Sequence, residues 1–581
     1  MKLPSLFSLV LIGCSQASSV SERAGTNSTY YNPVLPGWHS DPSCTQVNGT
    51  FYCVTSTFIL FPGLPIYASK DLINWKLVSH VWNRESQLPG YSQGTGGQQQ
   101  GMYAATVRYN QGTFYVICEY LGTSAGLTGV LFKSKNIFSS SAWSDPVIFH
   151  PSKIDPDILW DNGKVYMATQ SVKLEELDIN TGALSQPSAL WNGTGGTWPE
   201  GPHLYKKDGY YYLMIAEGGT AQNHAVTIAR SKTITGPYEG YAHNPILTNR
   251  GTKEYFQTVG HADLFQDAQG NWWGICLATR IGTNANVYPM GRETSLFPVT
   301  WREGEWPILQ PVRGKMSGWQ LPPTSRDLPG DGPFNGDPDA YDFTKGSHIP
   351  PHFSYWRVPR AGIFNITDNG LQIVPSRNNL TGIPNSDKFP ELTGQKGLSF
   401  IGRLQTDTTF SFSVDLTFDP KAVNQEAGIT VFLTQYNHID LGVVLLAGTS
   451  NSSPKLSLRY RAIGTIDAGL PRVIAVPTSW VGKAIRLTIN ATNSNTYTLA
   501  AASVADPTTQ ISLGIAPAEL VSGGFGHFTG SLVGAYATCN GEGSVGSMDC
   551  PAGGNAAFQR WRYLGLTQQF SRTESIPSRG K

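Results

Sequence analysis

The sequence predicts an all-β protein, a five-bladed β-propeller followed by a C-terminal β-sandwich. Three observations carry that expectation. The chain is rich in Gly, Pro, Tyr, Phe and Trp and poor in charge, which suits strands joined by tight turns. A phrase of Gly followed by aromatic strand residues recurs five times within residues 28–320. Beyond a Pro/Gly/Asp-rich linker at 321–340, residues 341–571 alternate with period two in the manner of sandwich strands. At 581 residues the chain is also too long for one ordinary core.

The chain opens like a signal peptide, expected at 1–17. Lys2 is basic, residues 6–13 are a short apolar run, and Ser15-Gln16-Ala17 is a small-residue cleavage site. That run is too short to span a bilayer, as is every later one. A secreted, extracellular protein is therefore expected. Sequons at Asn27, Asn48, Asn192, Asn365, Asn379, Asn451 and Asn490 fit that route as glycosylation candidates. Cys14 leaves with the signal. Cys44 and Cys53 flank a hairpin-like stretch and Cys539 and Cys550 flank a Gly-rich loop, so both pairs are expected disulfides. Cys118 and Cys276 sit in apolar runs and read as buried thiols. No cysteine spacing suits a metal. The formal net charge is +1 and no run of Lys or Arg stands out, which argues against nucleic acid and anionic membrane as partners. Nothing in the sequence speaks to oligomeric state.

The blade phrase reads Gly49-Thr50-Phe51-Tyr52, Gly112-Thr113-Phe114-Tyr115, Gly163-Lys164-Val165-Tyr166, Gly209-Tyr210-Tyr211-Tyr212 and Gly270-Asn271-Trp272-Trp273. Asn, Asp or Gln stands just before each Gly, as in hairpin turns entering strands. The copies lie about 45 to 65 residues apart, the length of a four-stranded blade. A second phrase follows in several copies, at Ser69-Lys70-Asp71-Leu72, Ser134-Lys135-Asn136-Ile137 and Ser231-Lys232-Thr233-Ile234, and marks outer strands. After the linker, Phe410, Phe412, Val414 and Leu416 alternate with Ser411, Ser413 and Asp415; residues 455–460 alternate likewise. The tail beyond about 570 is polar and expected to fray.

Inner strands of a propeller run along its axis, so a fixed offset from each hairpin Gly marks the mouth of the axial funnel. Eight residues before Gly49 and Gly163 stand Asp41 and Asp155. Nine before Gly112, Gly209 and Gly270 stand Tyr103, Glu200 and His261. Three carboxylates converging on one funnel repel each other, a cost that makes sense for a site with chemistry to do. Glycosidic bond cleavage fits. One carboxyl donates a proton to the leaving oxygen, a second activates water or attacks the sugar, and a third keeps the acid protonated.

Residues 32–43 (NPVLPGWHSDPS), Thr55-Ser56-Thr57-Phe58, Glu200-Gly201-Pro202-His203, Gly260-His261-Ala262-Asp263-Leu264 and Gly291-Arg292-Glu293-Thr294 together resemble glycoside hydrolase family 43. Tyr341-Asp342-Phe343 and Phe528-Thr529-Gly530 extend the resemblance to the two-domain branch of β-xylosidases and α-L-arabinofuranosidases, with a concanavalin/lectin-like sandwich. The resemblance implies an exo-acting, inverting hydrolase with Asp41 as general base, Glu200 as general acid and Asp155 as the residue that raises and orients the acid. Arg292 would bind sugar hydroxyls, Phe58 would form pocket wall, and Phe528, or Phe525 nearby, would close the pocket from the sandwich. His261 is expected near the axis, either beside a water or a structural calcium ion or as a hydrogen-bonded core histidine; no cofactor is required. Three departures bear on substrate. Met102-Tyr103-Ala104-Ala105 stands where many relatives carry Trp-Ala-Pro, so Tyr103 reshapes the wall. Ser40 precedes Asp41 where Pro is common, and Asp157 rivals Asp155 as third carboxylate. The expected substrate is plant cell-wall polysaccharide or oligosaccharide, cut at terminal β-D-xylose or α-L-arabinofuranose. A fructosidase-type hydrolase and a sugar-binding propeller without catalysis are the alternatives.

Overall fold

The computed structural model describes residues 28–281, 286–382, 397–448, 453–523, 528–544 and 547–578. The signal-peptide segment, Asn27, Asn451 and Phe525 lie outside them. Nearly all regular structure is β; the one α-helix among the described residues is Tyr91–Gly94.

Five four-stranded antiparallel sheets make the predicted propeller. Their inner strands are Ser43–Val47, Gly101–Asn110, Asp157–Asp161, Glu200–Lys207 and Phe256–Gln266, in blades 1 to 5. Each touches the next, and the fifth touches the first, so the ring is closed. The hairpin glycines join inner strand to second strand in every blade. In blades 1 to 4 the turn is two residues with both in the left-handed region, for example Asn48 at φ 52° and Gly49 at φ 78°. That geometry matches the right-handed twist of the flanking strands and explains the Asn/Asp/Gln–Gly phrase. The strand Thr29–Tyr31 pairs with Lys315–Ser317, and Asn32 exchanges hydrogen bonds with the Leu296 backbone, fastening the chain's start onto blade 5.

One residue from each inner strand, and two from blade 4, form a polar knot in the axis. Arg108 pairs with Asp157 and Asp263 at 2.8 Å each and meets His203 Nδ1 at 3.0 Å. Ser43 and Tyr205 donate to Asp263 at 2.7 and 2.8 Å. Burial would raise the Asp263 carboxyl, but Arg108 outweighs it and holds it well below the usual range.

The C-terminal unit is a sandwich of a nine-stranded and an eight-stranded sheet. The alternating strand Thr409–Phe418 buries Phe410, Phe412, Val414 and Leu416 against Ile429, Val431 and Leu433 of the facing sheet. Two sequence expectations are corrected here. The 321–340 segment is a strap on blade 1 rather than a free linker: Leu77 N–H donates to Pro333 O at 3.0 Å and Asn335 N–H to Trp75 O at 2.7 Å. The tail does not fray at 571, because Ser575–Pro577 pairs with Thr567–Gln569 and Ser578 is buried.

The domains share a sheet. Leu60–Phe61, from blade 1, pairs with Ser354–Trp356 and so forms the edge of the eight-stranded sheet. Arg357, fully buried, donates to the carbonyls of Ser92 and Thr95 in the propeller. An apolar cluster spans the junction: Trp38, Phe58, Ile59 and Leu60 against Trp356, Phe400, Phe432 and Leu532.

Cys44–Cys53 and Cys539–Cys550 are disulfides; Cys118 and Cys276 are buried free thiols. Asn48, Asn192 and Asn365 are exposed and Asn490 is half-buried. Asn379 is corrected as a glycosylation candidate: it is 7% exposed, and its amide donates to Asn540 Oδ1 while its carbonyl accepts from the Thr381 and Gly382 backbone, leaving no room for a glycan.

Candidate active site

The funnel mouth is organised by one repeated backbone event. Asp41, Ala104, Asp155, Gly201 and His261 all adopt left-handed φ, between 31° and 61°. In blades 2, 4 and 5 they begin bulges in which two inner-strand residues face one on the second strand. The backbone equivalents of Asp41 and Asp155 are therefore Ala104 and Gly201, which corrects the sequence alignment of Tyr103 and Glu200 by one position. Blade 5 differs in offset because its hairpin turn is longer. Gly201 is required: a Cβ there would meet His261 Nδ1 at 2.8 Å. In blade 4 the carboxyl comes instead from Glu200, one residue earlier, on a side chain one methylene longer.

All five sequence-predicted positions line one pocket of about 390 Å³, together with Arg292 and Phe528. Asp41 accepts from Ser56 Oγ at 2.7 Å and from Arg292 Nη1 at 2.9 Å, with His261 Nδ1 at 3.7 Å. Burial pushes its carboxyl up, but Arg292, His261 and Ser56 outweigh burial and leave it below its ordinary value. Asp155 and Glu200 go the other way. Burial, then the charges of Glu200 and Asp41, push Asp155 well above the carboxylate range. Burial, helped by the Asp41 charge and opposed by Gln170, lifts Glu200 to about 7. The two are tightly coupled, and the pair keeps at least one proton at neutral pH. Gly201 N–H donates to Asp155 at 3.0 Å, tying the pair through the backbone beside Glu200. Asp157 is excluded as the rival: it is fully buried in the Arg108 knot.

Arg292 binds Asp41, Thr220 Oγ1 at 3.2 Å and the Phe528 carbonyl at 3.0 Å. Its Nη2 is buried and has no partner among the described residues, a donor left for a ligand hydroxyl. Its guanidinium lies 4.8 Å from the Phe528 ring centre, so the sandwich domain supplies part of the wall. Phe58 is corrected. It is fully buried and cannot stack on a sugar; it stands behind the wall, 4.6 Å from Tyr103 and 6.3 Å from Phe528 between ring centres. Tyr103 faces the pocket, but its hydroxyl donates to Gln99 O, so its ring is its contribution. Burial holds His261 down at about 4, hence neutral.

Calcium takes six to eight oxygen ligands. Around His261 the chain offers the His203 and His224 imidazoles and two carboxylates, Asp41 and Asp263, already held by Arg292 and Arg108. Among the described residues no cluster of three or more His, Cys, Asp or Glu is placed to hold a metal. These donors do not fit a protein-held calcium ion.

Five residues escaped the sequence reading. Ser56 belongs to the Thr55-Ser56-Thr57-Phe58 motif, which by itself gives it no role. Gln170, in a 3-10 turn, and Trp198, Thr220 and His224, in loops, line the pocket from segments that carry no repeat. His224 Nδ1 lies 2.9 Å from Thr258 O, and burial keeps the ring neutral. Behind the site, Glu119 accepts the Asp155 N–H at 3.0 Å; burial and the Asp155 charge push its carboxyl well up.

A propeller whose axial pocket sets one lowered carboxylate among raised ones matches known proteins along nearly its whole length. Residues 30–307 match the family model for glycosyl hydrolases family 43, and residues 340–562 the β-xylosidase C-terminal concanavalin A-like domain. A non-reducing end α-L-arabinofuranosidase of Bacteroides ovatus is 35% identical over 93% of this chain and 96% of its own length. The chain belongs to glycosyl hydrolase family 43. It is thus an O-glycosyl hydrolase. A xylosidase/arabinosidase of Humicola insolens is 31% identical over 71% of this chain and 76% of its own. Among solved structures, the family 43 protein of a Bacteroides ovatus xyloglucan locus superposes with TM-score 0.80 at 32% identity, covering 93% of this chain and all of that one. A xylan β-1,4-xylosidase of Bacillus halodurans gives 0.76 at 26% identity, over 92% and 99%.

Proposed function

We propose that this family 43 hydrolase is secreted and exo-acting, and that it releases terminal β-D-xylose or α-L-arabinofuranose from xylan, arabinoxylan or their oligosaccharides with inversion. The observation that carries the chemistry is the split in carboxyl behaviour within one pocket: Asp41 held ionised, the Asp155–Glu200 pair holding a proton. Asp41 takes a proton from water, whose oxygen attacks the anomeric carbon. The glycosidic C–O bond breaks, and Glu200 passes its proton to the leaving oxygen. Asp155 keeps that proton in the pair, and Arg292 Nη2 holds a sugar hydroxyl. Walls from Tyr103 and Phe528 suit a single terminal residue. The names of the relatives, arabinofuranosidase and xylosidase/arabinosidase, support the two pentoses. Two disulfides and three exposed sequons support export.

The test is hydrolysis of nitrophenyl xyloside, nitrophenyl arabinofuranoside and arabinoxylan by wild type, Asp41→Ala and Glu200→Ala. On arabinoxylan each variant should lose at least about a hundredfold. Full activity in either sinks the assignment of roles, and wild-type inactivity on all pentosides favours a binding propeller. Proton NMR of the first anomer released checks inversion; a retained anomer rejects it.

A further inference from the structure

Trp198 is 65% exposed, the only exposed tryptophan among the described residues. It lines the catalytic pocket and precedes Glu200 by two positions. Its backbone sits at φ 53°, a conformation unfavourable for an aromatic residue that persists only where neighbours impose it. Here they do. Gly218 N–H donates to Thr197 O and Ser171 N–H to Pro199 O, each at 2.7 Å, pinning the residues on both sides. Gly219 backs the indole edge: a Cβ on it would lie 3.5 Å from Trp198 Cδ1. The indole N–H makes no hydrogen bond among the described residues. The fold therefore holds a large apolar ring in water, in a strained conformation, beside the general acid.

We propose that Trp198 is the platform of a leaving-group subsite, and that the group stacked on it is a pyranose sugar. The inference rests on the pentosidase reading and extends it to the other side of the scissile bond. Glu200 gives its proton to the glycosidic oxygen, and the leaving sugar hangs from that oxygen. The ring next to the acid is thus the surface this sugar meets. A pyranose with equatorial hydroxyls presents a flat face of axial C–H groups, which an indole covers while the hydroxyls stay in water. The chain is accordingly specialised for pentoses carried on a sugar backbone.

The experiment compares wild type, Trp198→Ala and Trp198→Phe on two substrates. One is a pentosyl-(1,4)-xylose disaccharide; the other is the pentosyl fluoride of the same sugar and anomer, whose leaving group is too small to reach the ring. The readout is the ratio of kcat/KM for disaccharide to that for fluoride, in which any loss of folded enzyme cancels. The ratio should fall about tenfold in Trp198→Ala, equivalent to about 1.4 kcal/mol, and by threefold or less in Trp198→Phe. A ratio within twofold of wild type in Trp198→Ala overturns the subsite. Wild-type inactivity on both substrates overturns the pentosidase reading instead.

Discussion

Ser56 donates to Asp41 Oδ2 at 2.7 Å and accepts the Ala104 N–H at 2.8 Å, both inside the protein. Ser56→Ala removes the first bond from an ionised carboxylate. Hydrogen bonds to charged groups contribute about 1.5–3 kcal/mol, and one pKa unit corresponds to about 1.4 kcal/mol. The Asp41 pKa should therefore rise by about one to two units. A general base works deprotonated, so the acidic limb of kcat/KM against pH moves to higher pH by that amount. Arg292 still binds Asp41, so the plateau should fall far less than the hundredfold or more expected for loss of the base. The orphaned Ala104 N–H costs about 1–3 kcal/mol of stability, read as a lower Tm. Ser56→Thr keeps the hydroxyl and should restore the limb. An acidic limb in Ser56→Ala that superimposes on wild type would refute the assignment of that limb to Asp41.

Asp155→Asn keeps an acceptor for Gly201 N–H but removes one carboxyl from the coupled pair. Glu200 then loses its proton more readily, so the alkaline limb should move to lower pH by about one unit; a stationary limb would separate the two groups. Arg108→Leu strands Asp157 and Asp263 in the axis and should cost about 3–5 kcal/mol in denaturant melts. Phe528→Ala withdraws the ring beside Arg292 and should raise KM several-fold, about 1 kcal/mol, with Tm little changed. Loss confined to kcat would place Phe528 elsewhere than in binding.

The blades were legible because each hairpin needs a left-handed pair that few residues adopt, and the chain repeats that requirement at blade spacing. The carboxylates were legible by counting back from those turns. An offset of eight holds for the left-handed residue in blades 1 to 4, and Glu200 stands at nine because glycine occupies the equivalent position against His261 and the carboxyl is carried one residue earlier. The burial of Phe58 has no sequence signal because part of its cover comes from Phe528, 470 residues away and in the other domain. Asn379 failed for the same kind of reason, its amide being taken up by Asn540. Ser56, Thr220, His224 and Trp198 act singly, outside any repeat, and only the folded loops bring them to the pocket.

The two residues Leu60 and Phe61 bear on how this protein can be cut and joined. They belong to blade 1 by chain order and to the sandwich by hydrogen bonding. Severing the chain in the 321–340 strap would not yield two modules. The propeller fragment would carry a strand with nothing to pair with and an uncovered patch of Trp38, Ile59 and Leu60; the sandwich fragment would present a bare sheet edge. Both ought to aggregate where the intact chain does not. For library work on this scaffold, the smallest piece that can be shuffled as a unit is the pair of domains.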